Sequence, residues 1–239
     1  MGRQDSRKGI GRVQSSLESV IDQGFAIVPD VLEPREMEHL EADLETPIVC
    51  RSRAGIRHAM RVPAVASIAR DPRLQQLARA VLGPLAIPYR ATLFAKSADS
   101  NWLVVWHQDT ALPLQQREDR PGWGPWSIKE GILYAHAPEQ ALSQVVALRL
   151  HLDDSTEENG PLRVLPDTHK RGVLTDDAIH ELAWKIRPLE CTVPRGGVLI
   201  MRPLLVHASS KSQSHEPRRV LHIEYAAGPA LAGFQLAVA

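Results

Sequence analysis

His107 and Asp109 lie two residues apart at the end of the apolar run Val104-Val105-Trp106. Successive side chains on a strand point to opposite faces, so this spacing projects an imidazole and a carboxylate from one face. The two make up most of a metal site that leaves coordination positions open. His207 ends a second apolar run, Val198 to Val206, much further along the chain. A fold that sets these two strands side by side completes a set of two histidines and one carboxylate. Such a set suits Fe(II) and keeps positions free for a cosubstrate and O2. Arg218 follows the polar, turn-like stretch from Ala208 to Pro217. A hairpin there would place Arg218 on the strand beside His207, where its guanidinium could grip a carboxylate through two parallel hydrogen bonds. Arg219 is the competing assignment, because strict alternation lets only one of the two arginines face the site.

The whole composition narrows the setting. The chain has 239 residues, enough for one domain with a sizeable core, and its 28 basic side chains balance 28 acidic ones. That balance leaves no electrostatic footprint for nucleic acid. Residues 1–12 carry Arg3, Arg7, Lys8 and Arg12 against Asp5 and are expected to form a flexible N-terminus. They lack the apolar core of a secretory signal, and no run approaches the roughly 18 apolar residues of a membrane span. Cys50 and Cys191 make no disulfide framework and no Cys-x-x-Cys pair. A reduced, cytoplasmic enzyme acting on a small molecule, with no membrane partner, is the expectation.

The elements that must position the site fall into two parts. From 13 to about 83 the chain reads as helical. Ser15-Ser16-Leu17-Glu18 has capping-box spacing, Pro34 opens a helix with Met37, Leu40 and Leu44 on one side, and another helix is expected near Val65 to Arg70. Asp71-Pro72 starts a further helix with Leu74, Leu77, Ala78 and Val81 as its apolar face. From Pro84 to about 227 the pattern turns to strands: Tyr89 to Lys96, Trp102 to His107, Val146 to Leu152, Leu162 to Leu165, Leu189 to Val193, Val198 to Val206 and Val220 to Ala226. In the third of these Val146, Leu148, Leu150 and Leu152 alternate with Ala147, Arg149, His151 and Asp153, which reads as a strand with one buried face. Between about 111 and 142 periodicity is lost in a stretch rich in Pro, Gly and Trp, which reads as a lid-like insertion. Helices followed by antiparallel strands predict a mainly β fold with flanking α-helices, a helix-flanked jelly roll folding as one unit over 13–239.

These motifs also occur in a familiar order. Trp106-His107-Gln108-Asp109, Leu150-His151-Leu152-Asp153-Asp154, the stretch Glu158 to Pro166 with His169 behind it, His207-Ala208-Ser209 and the stretch Arg218 to Tyr225 resemble the phytanoyl-CoA dioxygenase family of Fe(II)/2-oxoglutarate-dependent oxygenases. The resemblance runs over roughly residues 24–227 and implies a double-stranded β-helix (cupin-like jelly roll) core. It implies that His107, Asp109 and His207 hold iron and that Arg218 binds 2-oxoglutarate. Ser209 and Lys96 match positions that reach the same cosubstrate. The activity implied is hydroxylation of a small organic substrate by O2, with release of succinate and CO2. Asp109 supports hydroxylation over halogenation, since related halogenases lack this carboxylate, with desaturation or ring formation as the alternative outcomes. One departure is Pro166-Asp167-Thr168-His169, where relatives often carry Pro-Gly-Ser-His.

Other residues carry weaker expectations. Trp123 and Trp126 either cover a substrate or form a satellite core, and Arg202 inside an apolar strand needs a partner in the lid or an acidic substrate. His136 lies near a possible substrate mouth, as does His58, and both read first as structural. His39, His151 and His180 read as exposed or hydrogen-bonded, and His169 as a turn-bonding residue. His222 shares strand parity with Arg218 and could face the interior behind the ligands. Asp153 and Asp154 read as a solvated turn. Two rival functions use the same cluster: a zinc hydrolase that activates water, and a non-catalytic jelly-roll binding module.

Overall fold

The structure is a computed structural model that describes residues 15–44, 55–97 and 100–239. The expected flexible N-terminus and Cys50 lie outside these residues. Two antiparallel sheets face each other. The larger has six strands in the order β1 (Phe25–Val28), β11 (Val198–Met201), β8 (Val145–His151), β13 (Arg218–Ala226), β3 (Ile87–Lys96) and β2 (Gly55–Ile56). The smaller has four, β10 (Leu189–Cys191), β9 (Leu162–Val164), β12 (His207–Ser209) and β4 (Val104–His107). This is the expected double-stranded β-helix.

The expected flanking helices cover the outer face of the larger sheet. In α2 (Pro34–Leu44) the buried side is Met37, Leu40 and Leu44. After α3 (Pro63–Ile68), helix α4 (Pro72–Leu82) begins where the Asp71 carboxylate accepts the backbone N–H of Arg73 at 2.9 Å. Leu74, Leu77 and Ala78 of α4 pack with Leu148, Leu150, Leu221 and Ile223 of the sheet in one core. Arg73 joins the two helices through a forked pair of bonds to Glu36, 2.7 and 2.8 Å long. Residues 15–22 form a first helix, α1, ahead of β1. None of the described helices is long and apolar enough to cross a membrane.

Three expectations need correction. Residues 111–142 are not irregular: β5 (Ala111–Leu114), β6 (Trp126–Lys129) and β7 (Ile132–His136) form a three-stranded sheet in the order β5-β7-β6, followed by the short helix α5 (Glu139–Leu142). Its strands are four or five residues long and contain Pro113, so no periodicity had room to develop. The run from Val198 to Val206 is not one strand either. It leaves the larger sheet after Met201, turns through Arg202 to Leu205, where the Leu205 N–H donates to the Arg202 carbonyl at 3.1 Å, and enters the smaller sheet at His207. Pro203 has no N–H to continue a ladder, which fixes the break. Asp153 and Asp154 do more than face solvent: Asp153 holds Arg219 in a fork of 2.7 and 2.9 Å, and Asp154 accepts the Arg195 N–H at 2.7 Å.

Helix α6 (Asp176–Lys185) lies against β4, capped by Thr175. Inside the sandwich, one end is filled by Leu162, Val164, Cys191, Val193, Leu199, Met201 and Leu205. Cys191 is a plain core residue whose thiol is pushed up to about 12 by burial. The other end of the sandwich interior is not filled, and the chemistry-bearing residues face it.

Candidate active site

The crossover at Pro203 brings the two histidines together. β12 pairs with β4 so that His207 stands directly opposite His107, and the ring centroids are 4.2 Å apart. Asp109 follows β4, and its backbone N–H is fixed by the Pro203 carbonyl at 2.9 Å. Its carboxylate lies 3.8 Å from His107 Nε2 and 3.6 Å from His207 Nε2. Potential ligand atoms of all three residues lie within 4.8 Å of one another, and among the described residues no other histidine, cysteine or acidic group forms such a set.

The donor chemistry of this set fits a divalent transition metal. His107 Nδ1 donates to the Val105 carbonyl and His207 Nδ1 to the Leu205 carbonyl, each at 2.8 Å. Both rings are thereby held in the tautomer whose Nε2 lone pair points at Asp109. Burial lowers the pKa of His207 to about 4, against the pull of Asp109, so this ring is neutral near pH 7. Burial works to raise the Asp109 pKa, but His207, His222, His107 and Arg90 outweigh it and hold the carboxyl well below the usual carboxylate range. The carboxylate and lone pairs a cation needs are therefore present together. His207 is 3% exposed but His107 and Asp109 are 36% and 27% exposed, so the cluster opens to solvent on their side.

Behind the cluster runs a cavity of about 150 Å3 between the sheets. Arg218 lines it, but not from a hairpin partner of β12: β13 pairs with β3 and β8 in the larger sheet, so Arg218 reaches across from the opposite wall. Its Nε donates to the Asn159 carbonyl at 3.2 Å, and its Nη2 lies 3.4 Å from Ser209 Oγ. Lys96, the register partner of Arg218, donates to Ser209 Oγ at 2.7 Å and to the Ser210 carbonyl at 2.5 Å. Burial drives the Arg218 pKa down to about 10 and that of Lys96 to about 7, with further lowering by neighbouring cations. Among the described residues neither pairs with a carboxylate. Arg219 points away and is bonded to Asp153 and Glu41. The structure thus brings together Lys96, His107, Asp109, His207, Ser209 and Arg218 around one cavity.

Residues 21–220 match the family described as phytanoyl-CoA dioxygenase (PhyH). The chain belongs to the phytanoyl-CoA dioxygenase family. L-proline trans-4-hydroxylase from Streptomyces griseoviridis is 27% identical over 186 residues, which is 67% of this chain and 62% of that enzyme. The aligned stretch therefore spans less than two thirds of the hydroxylase. Among solved structures, AviO1 from Streptomyces viridochromogenes Tue57 superposes with a TM-score of 0.67 at 23% identity, covering 92% of this chain and 97% of AviO1. HygX from Streptomyces hygroscopicus, crystallised with nickel and 2-oxoglutarate bound, superposes with a TM-score of 0.63 at 19% identity, covering 89% and 85%. These likenesses show the shared fold. The departure from the family's Pro-Gly-Ser-His pattern sits at Asp167, whose φ is +68°. That left-handed conformation suits glycine and is also open to Asp.

The remaining expected residues do not line the cavity. Trp123 and Trp126 lie 4.4 and 5.9 Å from the Phe234 ring, in a satellite core with Leu112 and Leu114, because that is where large apolar rings find cover. Arg202 donates to the Ser143 carbonyl at 3.1 Å and lines a separate cleft with His169 and Leu204. His136 is exposed and hydrogen-bonded to Thr110 Oγ1 at 2.6 Å, one residue from Asp109. His58 is buried against the Tyr134 hydroxyl at 2.9 Å. His151, expected to be exposed or bonded, is buried, and among the described residues neither ring nitrogen has a partner.

Among the residues lining the cavity, Arg90 and Arg149 carry roles the sequence did not reveal. Arg90 is ion-paired with Glu224 and donates to the Ala111 carbonyl at 2.9 Å. Burial pushes the Glu224 carboxyl up to about 7 against the Arg90 charge. Arg149 Nη1 bonds His222 Nδ1 at 3.0 Å, and both side chains line the cavity. The parity of His222 with Arg218 was a legible signal. Arg149 looked like the solvent-facing half of an alternating strand.

Proposed function

We propose that the protein is an Fe(II)- and 2-oxoglutarate-dependent dioxygenase that hydroxylates a small organic substrate, with release of succinate and CO2. The observation that carries this reading is the joining of two features in one cavity. Two imidazoles and a carboxylate converge at its solvent side, and Arg218 and Lys96, which pair with no carboxylate among the described residues, stand further in with Ser209. Membership of the phytanoyl-CoA dioxygenase family supports it. HygX, of the same fold, binds nickel and 2-oxoglutarate, and the proline relative is a hydroxylase.

In this reading His107, His207 and Asp109 hold the metal, with both rings already oriented by their backbone acceptors. Bound iron would supply O2 activation coupled to oxidative decarboxylation of 2-oxoglutarate, one oxygen atom passing to succinate and the other to the substrate hydroxyl. Arg218 grips the distal carboxylate of the cosubstrate, and Lys96 and Ser209 complete its hydrogen bonds. A buried guanidinium without a counter-charge is costly, and a dianionic cosubstrate removes that cost. A zinc hydrolase would need the three ligands alone and would leave Arg218 and Lys96 idle.

The test is anaerobic addition of Fe(II) and 2-oxoglutarate to the purified protein, followed by visible absorption. A weak charge-transfer band is expected for the native chain and none for His107→Ala. Arg218→Gln should keep Fe(II) binding and need at least about tenfold more 2-oxoglutarate to reach the same band. Turnover that survives exchange of iron for zinc, with no such band, would overturn the proposal.

A further inference from the structure

Besides Arg218 and Lys96, two more cations line the cavity: Arg90, which is ion-paired with Glu224, and Arg149. On β3, Lys96, Phe94 and Thr92 face inward in succession, level with Arg218, Val220 and His222 of β13. Arg149 of β8 is the register partner of His222. Arg218 and His222 are four residues apart on β13, about 13 Å along the strand, and the guanidinium of Arg149 stands 5.5 Å over the ring of Phe94, whose register partner Val220 is midway between them. It bonds His222 Nδ1 at 3.0 Å.

Arg149 is 6% exposed, and among the described residues its Nε has no hydrogen-bond partner and no carboxylate pairs with it. Glu224 does not serve it, being held by Arg90 and Tyr89. Asp109 also lines the cavity but belongs to the His107–His207 cluster. A buried arginine left this way calls for an anion. Its charge is felt on both sides. It opposes protonation of His207 in the metal cluster and lowers the pKa values of Lys96 and Arg218 at the other end.

We propose that Arg149, positioned by His222 and the Phe94 ring, binds the keto-acid carboxylate of 2-oxoglutarate, while Arg218 and Lys96 bind its distal carboxylate. This rests on the dioxygenase reading above. The cosubstrate would lie between two arginines, one for each carboxylate. The His222 ring accepts from Arg149 through Nδ1 and is therefore neutral, a state that burial and the adjacent Arg149 both favour. His222 is then a positioning residue that aims the guanidinium.

Two 2-oxo acids separate the ends. Calorimetric titration of the Ni(II)-loaded protein would use 2-oxoglutarate and 2-oxobutyrate, which keeps the keto-acid end and lacks the distal carboxylate. Arg149→Gln should weaken both ligands by a similar factor, about tenfold or more. Arg218→Gln should weaken 2-oxoglutarate alike but leave 2-oxobutyrate within about twofold. Arg149→Lys keeps the charge but loses the planar fork, so it should weaken both by a smaller factor. It carries the test if the Gln variant gives no cooperative melt. Unchanged 2-oxoglutarate binding in the Arg149 variants would overturn the proposal. That is the result expected if the arginine instead served a carboxylate of the primary substrate. Loss confined to 2-oxoglutarate would overturn it too, by placing Arg149 at the distal end. If the native Ni(II) protein bound neither acid, the dioxygenase reading itself would fall.

Discussion

Lys96 shows how far a buried position can alter a single residue. It is 1% exposed, held by Ser209 and the Ser210 carbonyl, and its pKa falls to about 7 through burial first and then Arg218 and Arg149. Near neutral pH it is therefore divided between charged and neutral forms. A carboxylate bound beside it favours the charged form and raises its pKa in the complex. Below pH 7 the amine is already protonated, and binding of 2-oxoglutarate should not depend on it. Above pH 7 binding must take up a proton, so affinity should fall with rising pH, by up to about tenfold per pH unit. Calorimetry at pH 8 in two buffers of different ionisation heat should show this uptake, and Lys96→Met should abolish it. A pH-independent affinity from 7 to 8.5 in the native protein would contradict the assignment.

At the level of elements, the site depends on how β12 is held. Gly160, in the connection from β8 to β9, has a φ of +68°, and a Cβ there would sit 2.4 Å from the Ser210 carbonyl oxygen. The Gly160 carbonyl also accepts from Ser209 Oγ at 3.0 Å. The connection thus clasps the end of β12 that carries Ser209. Gly160→Ala should cost about 1–2 kcal/mol from the left-handed backbone alone, and should push the Ser209 end of β12 outward. Weaker 2-oxoglutarate binding with Ni(II) affinity unchanged is the expected result, read by titrating each ligand separately. Equal loss of both would mean that the strand moves as a whole. The His107–Asp109 pair was readable as two side chains on one face, because that depends on local spacing. Capped helices such as α4 were readable for the same reason. The switch of sheets between Met201 and His207 was not, since an apolar run looks the same whether it stays in one sheet or crosses to another. The side of β13 from which Arg218 enters was hidden likewise, because pairing partners are set by the whole topology. Arg149 was hidden by a sound rule misapplied: alternation marks a half-solvated strand, but here helices cover one face of β8 and the cavity lies on the other.

For the whole molecule, the arrangement makes ligand binding and folding one event. The residues proposed to hold the metal and 2-oxoglutarate come from β3, β4 and the loop after it, β8, β12 and β13, strands of two different sheets. No part of the site exists until the sheets close on each other, so a ligand of the site binds the folded state alone. Metal and 2-oxoglutarate should then raise the melting temperature of a single cooperative transition. At a hundredfold excess over its dissociation constant, each ligand adds about 2.7 kcal/mol, and roughly 2–4 °C per kcal/mol is expected for a chain of this size. The helical layer contributes through the other face of the same sheet. Leu148 of β8 is fully buried in the core shared with α4, while its neighbour Arg149 faces the cavity. Leu148→Ala should lower stability by about 2–5 kcal/mol through the cavity it leaves. The increment from Ni(II) and 2-oxoglutarate should be preserved, because the lost contacts lie on the opposite side of the strand. Paired melting curves, with and without both ligands, measure the two effects independently. An increment that shrinks in Leu148→Ala would mean that the helical layer sets the position of Arg149 and His222, and that the two faces of the sheet are coupled.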